Sequence, residues 1–378
     1  MPRKTSEELE IIKKKLNCHT LYSWSRYNCY KNDPYEYMLK YVRGIKEDRN
    51  DGIYGISGNI CHTIIERMYS NEITHDQMLE QYENELLTFN LAELKYDRSD
   101  EEKNKKIADK YESCIKHFFK NHQPITKKLD LERFITVKVD SFHLQGYIDA
   151  VFVEDGFYKI VDWKSSSIYT GKKIEKERGQ LLLYSEALRQ LGIPLEKIKA
   201  YWNFLKYVTI ESPQANGKTS IRNIERNEIG SKLSSSVKMW MKKGGYSEGD
   251  IEVYIDTLCL TNDIECLPDD IKCKYKMKDC YVEIPISEDA IDDLKQDIVK
   301  TLIEINTKEA QYNKTKDESI FWSKVTDENS YYFANLSGYS AKLHLPYKEY
   351  LESREMFLNK EKEENQEEDT DLNWLREL

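Results

Sequence analysis

No stretch of this 378-residue chain approaches the roughly 20 consecutive apolar residues that span a bilayer, so a membrane protein is not expected. The opening MPRKTSEELEIIKKK is charged from the start and has no apolar run of the kind a secretory signal carries. The cytoplasm, of a bacterial or phage-infected bacterial cell, is therefore the expected compartment; abundant Lys, Asn, Tyr and Ile fit an AT-rich genome. No internal repeat is present. Eight cysteines, at 18, 29, 61, 114, 259, 266, 273 and 280, are scattered, with nothing to suggest an oxidising compartment. Free thiols or a metal site are better readings than disulfides. A surplus of positive charge is also missing, since the formal net charge is −10. Residues 351–378 hold ten acidic and four basic side chains, which leaves −4 for the other 350 residues. That balance does not exclude a nucleic-acid partner, because phosphate contacts are local and need only clustered basic groups.

What is present suits one large domain with insertions or two ordinary ones: charged residues make up 33% of the chain and the mean hydropathy is −0.74. The first 120 residues read as helical, with apolar positions three and four apart over 6–16, 59–72 and 101–121. Pro124 marks a break. From about 133 the pattern turns to β, in FITVKV, FHLQGYIDAVFV and FYKIVDW. A helix over 173–191 and a strand over 198–206 follow, giving a compact α/β unit over 1–206. Residues 207–279 read as an insertion or subdomain with helices near 227–242 and 248–260. Residues 280–358 hold a strand and helices, one capped at Ser287 with an acidic first turn. The charge run over 359–378 is expected to be disordered.

One hairpin carries chemistry. Asp155-Gly156 between two β-rich runs is a two-residue type I′ turn signal. With those two residues as the loop, Glu154 pairs with Phe157, and Asp149 falls opposite Asp162. Opposed residues share a face about 5 Å apart at Cβ, and Lys164, two residues past Asp162, projects from that face too. Two carboxylates so close repel unless they share a proton or hold a cation. Hard oxygen ligands favour Mg2+ or Mn2+, ions that polarise a phosphoryl oxygen and acidify bound water. Lys164 is placed to orient that water or to offset developing negative charge. The bland alternative is a surface hairpin with an Asp–Lys pair.

Upstream, GNICHTIIE sets His62 and Glu66 four apart on one helical face, where the imidazole is placed to complete a metal shell. Downstream, QLLLY sets Gln180 and Tyr184 on one face of the next helix; an ordinary amphipathic helix explains these two equally well.

In this order Gly58, His62 and Glu66, then Gly146 to Asp149, then Asp162 and Lys164, then Gln180 and Tyr184 resemble the RecB-like branch of the PD-(D/E)xK nuclease superfamily, which includes phage and CRISPR-associated exonucleases. The opening YSWSRYNCYKNDPYEYMLKYV also resembles that group's lead-in, so the likeness covers about residues 20–206. It implies a restriction-endonuclease-like α/β core, a mixed β-sheet flanked by helices, with a helical N-terminal region and a helical insertion. It further implies that His62, Asp149, Asp162 and the carbonyl of Trp163 bind the metal, that Lys164 is catalytic, and that Gln180 and Tyr184 hold a DNA end or the lysine. Glu132, just before the first strand, is either an accessory acid or a surface residue. Ile148 stands where the superfamily's name has Pro, which leaves the ligands intact.

Some RecB-like nucleases hold a 4Fe-4S cluster. Cys29 is suitably placed ahead of His62, but Cys259, Cys266, Cys273 and Cys280 are each seven apart without a C-x-x-C; plain thiols are favoured over a cluster or a zinc site. Lys172, Lys173, Lys176 and Arg178 enter the helix that carries Gln180, and Lys242 and Lys243 precede a Gly-Gly. Solvated faces are the default for such runs, and only the first group is expected to touch DNA. The expected function is a DNA nuclease, exonuclease before endonuclease, in recombination, repair or phage DNA processing. The rival from another class is a non-catalytic DNA-binding or assembly protein on the same fold.

Overall fold

The structure, a computed structural model, describes residues 3–214, 216–322, 331–340 and 343; the charge run over 359–378 lies outside the described residues. The chain opens with α1 (Ser6–Leu16), whose start is closed by a capping box: Thr5 Oγ1 accepts from Glu8 N–H, and the Glu8 carboxylate accepts from Thr5 N–H. A short strand β1 (Leu21–Ser23) leads into α2 (Trp24–Asn32) and α3 (Pro34–Tyr37). Then come α4 (Ile53–Tyr69), α5 (Gln77–Leu91) and α6 (Glu101–Asn121). The helix expected over 59–72 thus starts earlier, because its buried stripe continues back through Ser57 to Ile53.

Three long strands follow, β2 (Asp130–Val139), β3 (Phe142–Glu154) and β4 (Phe157–Lys164). The single helix expected over 173–191 is two, α7 (Lys172–Glu177) and α8 (Gly179–Gln190). Strand β5 (Ile198–Pro213) runs on well past 206 and turns back as β6 (Thr219–Glu225). After α9 (Ile229–Lys243), α10 (Glu248–Thr261) and α11 (Asp269–Lys272), β7 (Lys276–Glu283) returns to β5. The long α12 (Glu288–Thr315) is capped by Ser287, whose side chain accepts from Ala290 N–H. Among the described residues no helix is long and apolar enough to cross a membrane.

These strands form one mixed seven-stranded sheet, the α/β restriction-endonuclease-like arrangement expected. Its centre runs β2-β3-β4-β5-β7. Residue 143 of β3 pairs with both β1 and β2, and residue 150 pairs with both β2 and β4. A strand has two edges, so β1 and β4 share one edge of β3. They approach along it from opposite ends, β1 parallel and β4 antiparallel to β3, and among the described residues Gly146–Asp149 between them has no strand partner on that side. Helix α2 therefore begins, and β4 ends, over a gap in the sheet, which is a natural place for a cleft.

Side-chain alternation along β3 breaks at the same point. Leu144, Ile148 and Val151 face one core, while Ala150 and Phe152 face the other. On β2, Ile135 and Val137 belong to the first core and Leu131 packs on the second. The change of face in β2 coincides with Glu132, a non-glycine residue at φ +46°, a left-handed conformation that costs roughly 1–2 kcal/mol. The first core lies under α2, α3, α8 and α12, and the second under α4, α5 and α6.

The insertion has its own small core, in which Val208, Ile210 and Ile224 of the β5–β6 hairpin meet Leu233, Val237, Ile251 and Leu258 of α9 and α10. The division expected at 206/207 falls inside β5, so the insertion grows out of the sheet.

Two polar arrangements brace this frame. Behind β4, the Arg226 guanidinium donates to Asp279 Oδ1 (2.6 Å) and to the Leu205 carbonyl (2.8 Å). Asp279 Oδ2 accepts from His122 Nδ1 (2.6 Å) and Gln123 N–H (3.1 Å), and His122 Nε2 meets the Tyr69 hydroxyl at 3.1 Å. The Tyr69 ring stacks on Trp163, 6.2 Å between centroids at 12°. On the other side of the sheet, tyrosines of α2 and α3 clasp α12: Tyr27 donates to Asp297, Tyr30 to Glu304 (2.6 Å) and Tyr37 to Glu309 (2.6 Å).

Candidate active site

The hairpin forms in the expected register. Asp155 and Gly156 both adopt positive φ (+53° and +78°), as a type I′ turn requires. Glu154 pairs with Phe157, and the ladder continues to Ala150 opposite Val161. One step on, Asp149 and Asp162 line the same cleft, of about 600 Å3, together with His62, Glu66, Glu132, Lys164, Gln180 and Tyr184. Both aspartates are buried, at 8% and 1% exposure.

Each side chain is held from a different element. Asp149 Oδ2 accepts the Trp163 backbone N–H at 2.9 Å, tying β3 to β4 just past the last regular pair. His62, from α4, places Nε2 2.8 Å from the Trp163 carbonyl and Nδ1 3.4 Å from Asp149 Oδ2. Lys164 Nζ lies 2.7 Å from Asp162 Oδ2 in an ion pair; that oxygen has no well-aligned hydrogen bond. The other side of the ammonium makes a long contact, 3.5 Å, to Gln180 Oε1, and Gln180 Nε2 donates to the Tyr184 hydroxyl at 2.8 Å. The lysine is thus aimed by a glutamine that a tyrosine in turn holds. Gly146 leaves room for this, since a Cβ there would lie 3.0 Å from the Tyr184 ring.

Glu132 is neither ahead of the strand nor at the surface. It lies within β2, is 8% exposed, and stands across from Asp149 on the edge of β3 opposite β4. Carboxylates on three adjacent strands, Glu132, Asp149 and Asp162, therefore run across the cleft floor, with Glu66 above on α4. Arg3 Nε lies 4.0 Å from the Glu132 carboxylate. Nothing in the pattern before ITVKV signals this: the left-handed residue that moves Glu132 inside is a glutamate, where only Gly or Asn would have advertised such a bend.

The electrostatics follow from the crowding. Burial pushes the Asp149 carboxyl up to about 6, with His62 opposing and Asp162 reinforcing the rise. Burial likewise lifts Glu66 to about 7, and the charge of Glu132 adds to it. At Lys164, burial by itself disfavours the ammonium, but the adjacent Asp162 carboxylate outweighs it and holds the amine protonated.

Among the described residues no three His, Cys, Asp or Glu side chains close into a ready-made metal cage. The donor types gathered in the cleft, His62, Asp149 and Asp162 with the Trp163 carbonyl beside them, nevertheless suit a divalent ion. His62 Nε2 lies 2.8 Å from the Trp163 carbonyl and Nδ1 lies 3.4 Å from Asp149 Oδ2; an ion takes only one ring nitrogen, so the imidazole would exchange one of these contacts for the metal. The two carboxylates and the carbonyl are hard oxygen donors of the kind Mg2+ and Mn2+ prefer, and the imidazole adds one borderline nitrogen.

Other candidates are not gathered here. Lys172, Lys173 and Lys176 are exposed on α7 and do not line the cleft; Lys173 lies over the Tyr169 ring at 4.8 Å. Lys242 pairs with Glu248, and Lys243 lies over Trp240. All eight cysteines are free, and Cys259, Cys266, Cys273 and Cys280 are spread over α10, the turn after it, the end of α11 and β7. Trp24, which begins α2 and lines the cleft, had no distinguishing signal beyond its place in the aromatic lead-in. No curated protein matches the chain. The family model of the PD-(D/E)XK nuclease superfamily matches residues 22–317, a span that holds every cleft residue from Ser23 to Tyr184, and the chain belongs to that superfamily.

Proposed function

We propose that this protein is a divalent-metal-dependent deoxyribonuclease of the RecB-like branch, acting as an exonuclease on DNA ends in recombination, repair or phage DNA processing. The observation that carries the reading is the convergence of Asp149, Asp162, Lys164 and His62 on one cleft from β3, β4 and α4, with Gln180 and Tyr184 behind the lysine. His62, Asp149, Asp162 and the Trp163 carbonyl would hold Mg2+ or Mn2+, which when bound supplies Lewis acidity and a nucleophilic water near neutral pH. Lys164, kept protonated by Asp162, faces the charge that builds on a phosphate in the transition state. Asp149 and Asp162 exclude a second anion from the floor until a cation is present. The end preference rests on the resemblance of the Gln180–Tyr184 pair to the motif of the RecB-like branch.

Digestion of DNA labelled at the 5′ or the 3′ end, with Mg2+, Mn2+ or chelator, tests the reading; an uncut circular substrate separates exonuclease from endonuclease. Metal-dependent release of labelled products is expected, with a loss of about 100-fold or more in Lys164→Ala. No cleavage of single- or double-stranded DNA with either metal would sink it.

A further inference from the structure

A second cavity, of about 470 Å3, adjoins the candidate active site. The two share Trp24, Ser25, Lys164 and Gln180 as a common wall. The second cavity is bounded by α2, by Tyr169 in the β4–α7 connection, and by the described segment 331–340. That segment is fastened over it: the Tyr332 hydroxyl donates to Glu36 at 2.7 Å, and the Tyr339 hydroxyl donates to the Ile45 carbonyl at 3.0 Å.

We propose that this cavity is a nucleobase pocket that receives one unpaired base of the strand lying in the active site. The inference rests on the nuclease reading and adds to it a specific contact with single-stranded DNA. Three observations support a base as the occupant. The cavity lies within the range of small-ligand sites, about 300–1,000 Å3, and is far too small for a duplex. Its walls carry flat rings, Trp24 and Tyr169 among them, and every base has a face that stacks on such rings. Trp24 is fixed in place: it packs on Tyr27 with ring centroids 5.1 Å apart, and its far edge lies so close to Gly179 that a Cβ there would fall 2.4 Å from it. Tyr169 meets Trp202 and Phe204 in T-shaped contacts, both at 5.0 Å, and the exposed Lys173 side chain that lies over its ring at 4.8 Å would swing aside for a base.

The polar groups point the same way. Ser25, Asn28 and Asn32 are three and four residues apart on α2, so they share a face; all three line the cavity and are exposed. Amides both donate and accept and so can match the edge of a base. A phosphate is the wrong occupant, because Glu36, Glu47 and Glu177 also line the walls while Lys40 is already paired with Glu47 at 2.8 Å. A strand crossing the shared wall would leave its phosphate beside Lys164 and turn its neighbouring base into the pocket.

Equilibrium binding of a short single-stranded oligonucleotide tests this, with Ca2+ replacing the catalytic metal and each position in turn made abasic. The full-length protein is expected to lose about tenfold in affinity at one position or two adjacent ones, and little elsewhere. In Asn28→Ala/Asn32→Ala, two exposed sites where folding is not at stake, that position-specific loss should shrink by the share the amides contribute, leaving the part that stacking supplies. Uniform abasic losses, no loss at any position, or a double variant that still discriminates like the parent would each overturn the pocket. A protein that cuts DNA with Mg2+ yet shows no position effect refutes the pocket alone, whereas one that neither cuts nor binds DNA refutes the nuclease reading with it.

Discussion

Asp279→Asn removes half the charge from a pair that water does not reach. Asp279 and Arg226 are 5% and 1% exposed and meet at 2.6 Å. Both carboxylate oxygens are in use, one by Arg226 and the other by His122 and Gln123. An asparagine offers one acceptor oxygen, so it must present its NH2 group to either the guanidinium or the imidazole. Aimed at Arg226, that group leaves a buried cation uncompensated, at a cost of about 3–5 kcal/mol, a large part of the roughly 5–15 kcal/mol that holds a typical domain together. Arg226→Met removes the charge along with the side chain, so the double variant should recover about 2 kcal/mol relative to the sum of the single losses. Urea unfolding followed by tryptophan fluorescence measures all three. Burial opposes ionisation of Asp279, but His122 and Arg226 more than compensate and hold its carboxyl below its usual value. Its contribution is therefore present above the ordinary carboxylate range and is lost as pH falls through the depressed value, so the deficit of Asp279→Asn should shrink in acid. A single-variant loss under about 1 kcal/mol, or strict additivity, would refute the reasoning.

Asp149, raised to about 6, is neutral below that pH and then a poor ligand; Mn2+ affinity, read by calorimetry, should fall as pH drops through about 6. The linkage of the metal-free protein has the opposite sign: a raised carboxyl stabilises at low pH and loses that contribution as pH rises through 6, so melting temperature without metal should decline there and added Mn2+ should restore it. Glu132 at φ +46° should be replaced by Gly with about 1 kcal/mol less loss of stability than by Ala, because only Gly adopts that conformation freely; equal thermal shifts would argue against the strain. Gly230→Ala should destabilise by about 3 kcal/mol or more, since the new methyl would lie 2.4 Å from the Leu258 carbonyl and 2.5 Å from Cys259 Cα, backbone that cannot move aside as a side chain can; an unchanged melting temperature would contradict the packing of α9 on α10.

Local rules made much of this legible in the sequence. The Asp155-Gly156 turn has one favoured geometry, and once it is placed the register follows without tertiary information as far as Ala150 opposite Val161, one step from Asp149 and Asp162. The helices over 6–16 and 101–121 run between the same residues as expected, because each has a polar cap and a clear apolar stripe. What escaped depended on distant partners. The break before α8 lies where Trp24, far back in the chain, presses on Gly179. Strand β5 runs past 206 because β6 and β7 pair with it there, and the burial of Glu132 depends on a backbone bend its own side chain does not announce.

The clasp between the early tyrosines and α12 also bears on how the chain reaches its native state. Tyr27, Tyr30 and Tyr37 find their acceptors 270, 274 and 272 residues downstream. Contacts of that separation belong to high-contact-order topologies, which fold slowly because loop closure must precede the reward. During synthesis the α2–α3 segment leaves the ribosome long before α12 exists, so its aromatic face waits uncovered while the sheet assembles. The phenols suit that wait: their hydroxyls can stay hydrated until the acidic helix arrives, whereas a leucine face in the same place would be an adhesive surface for other chains.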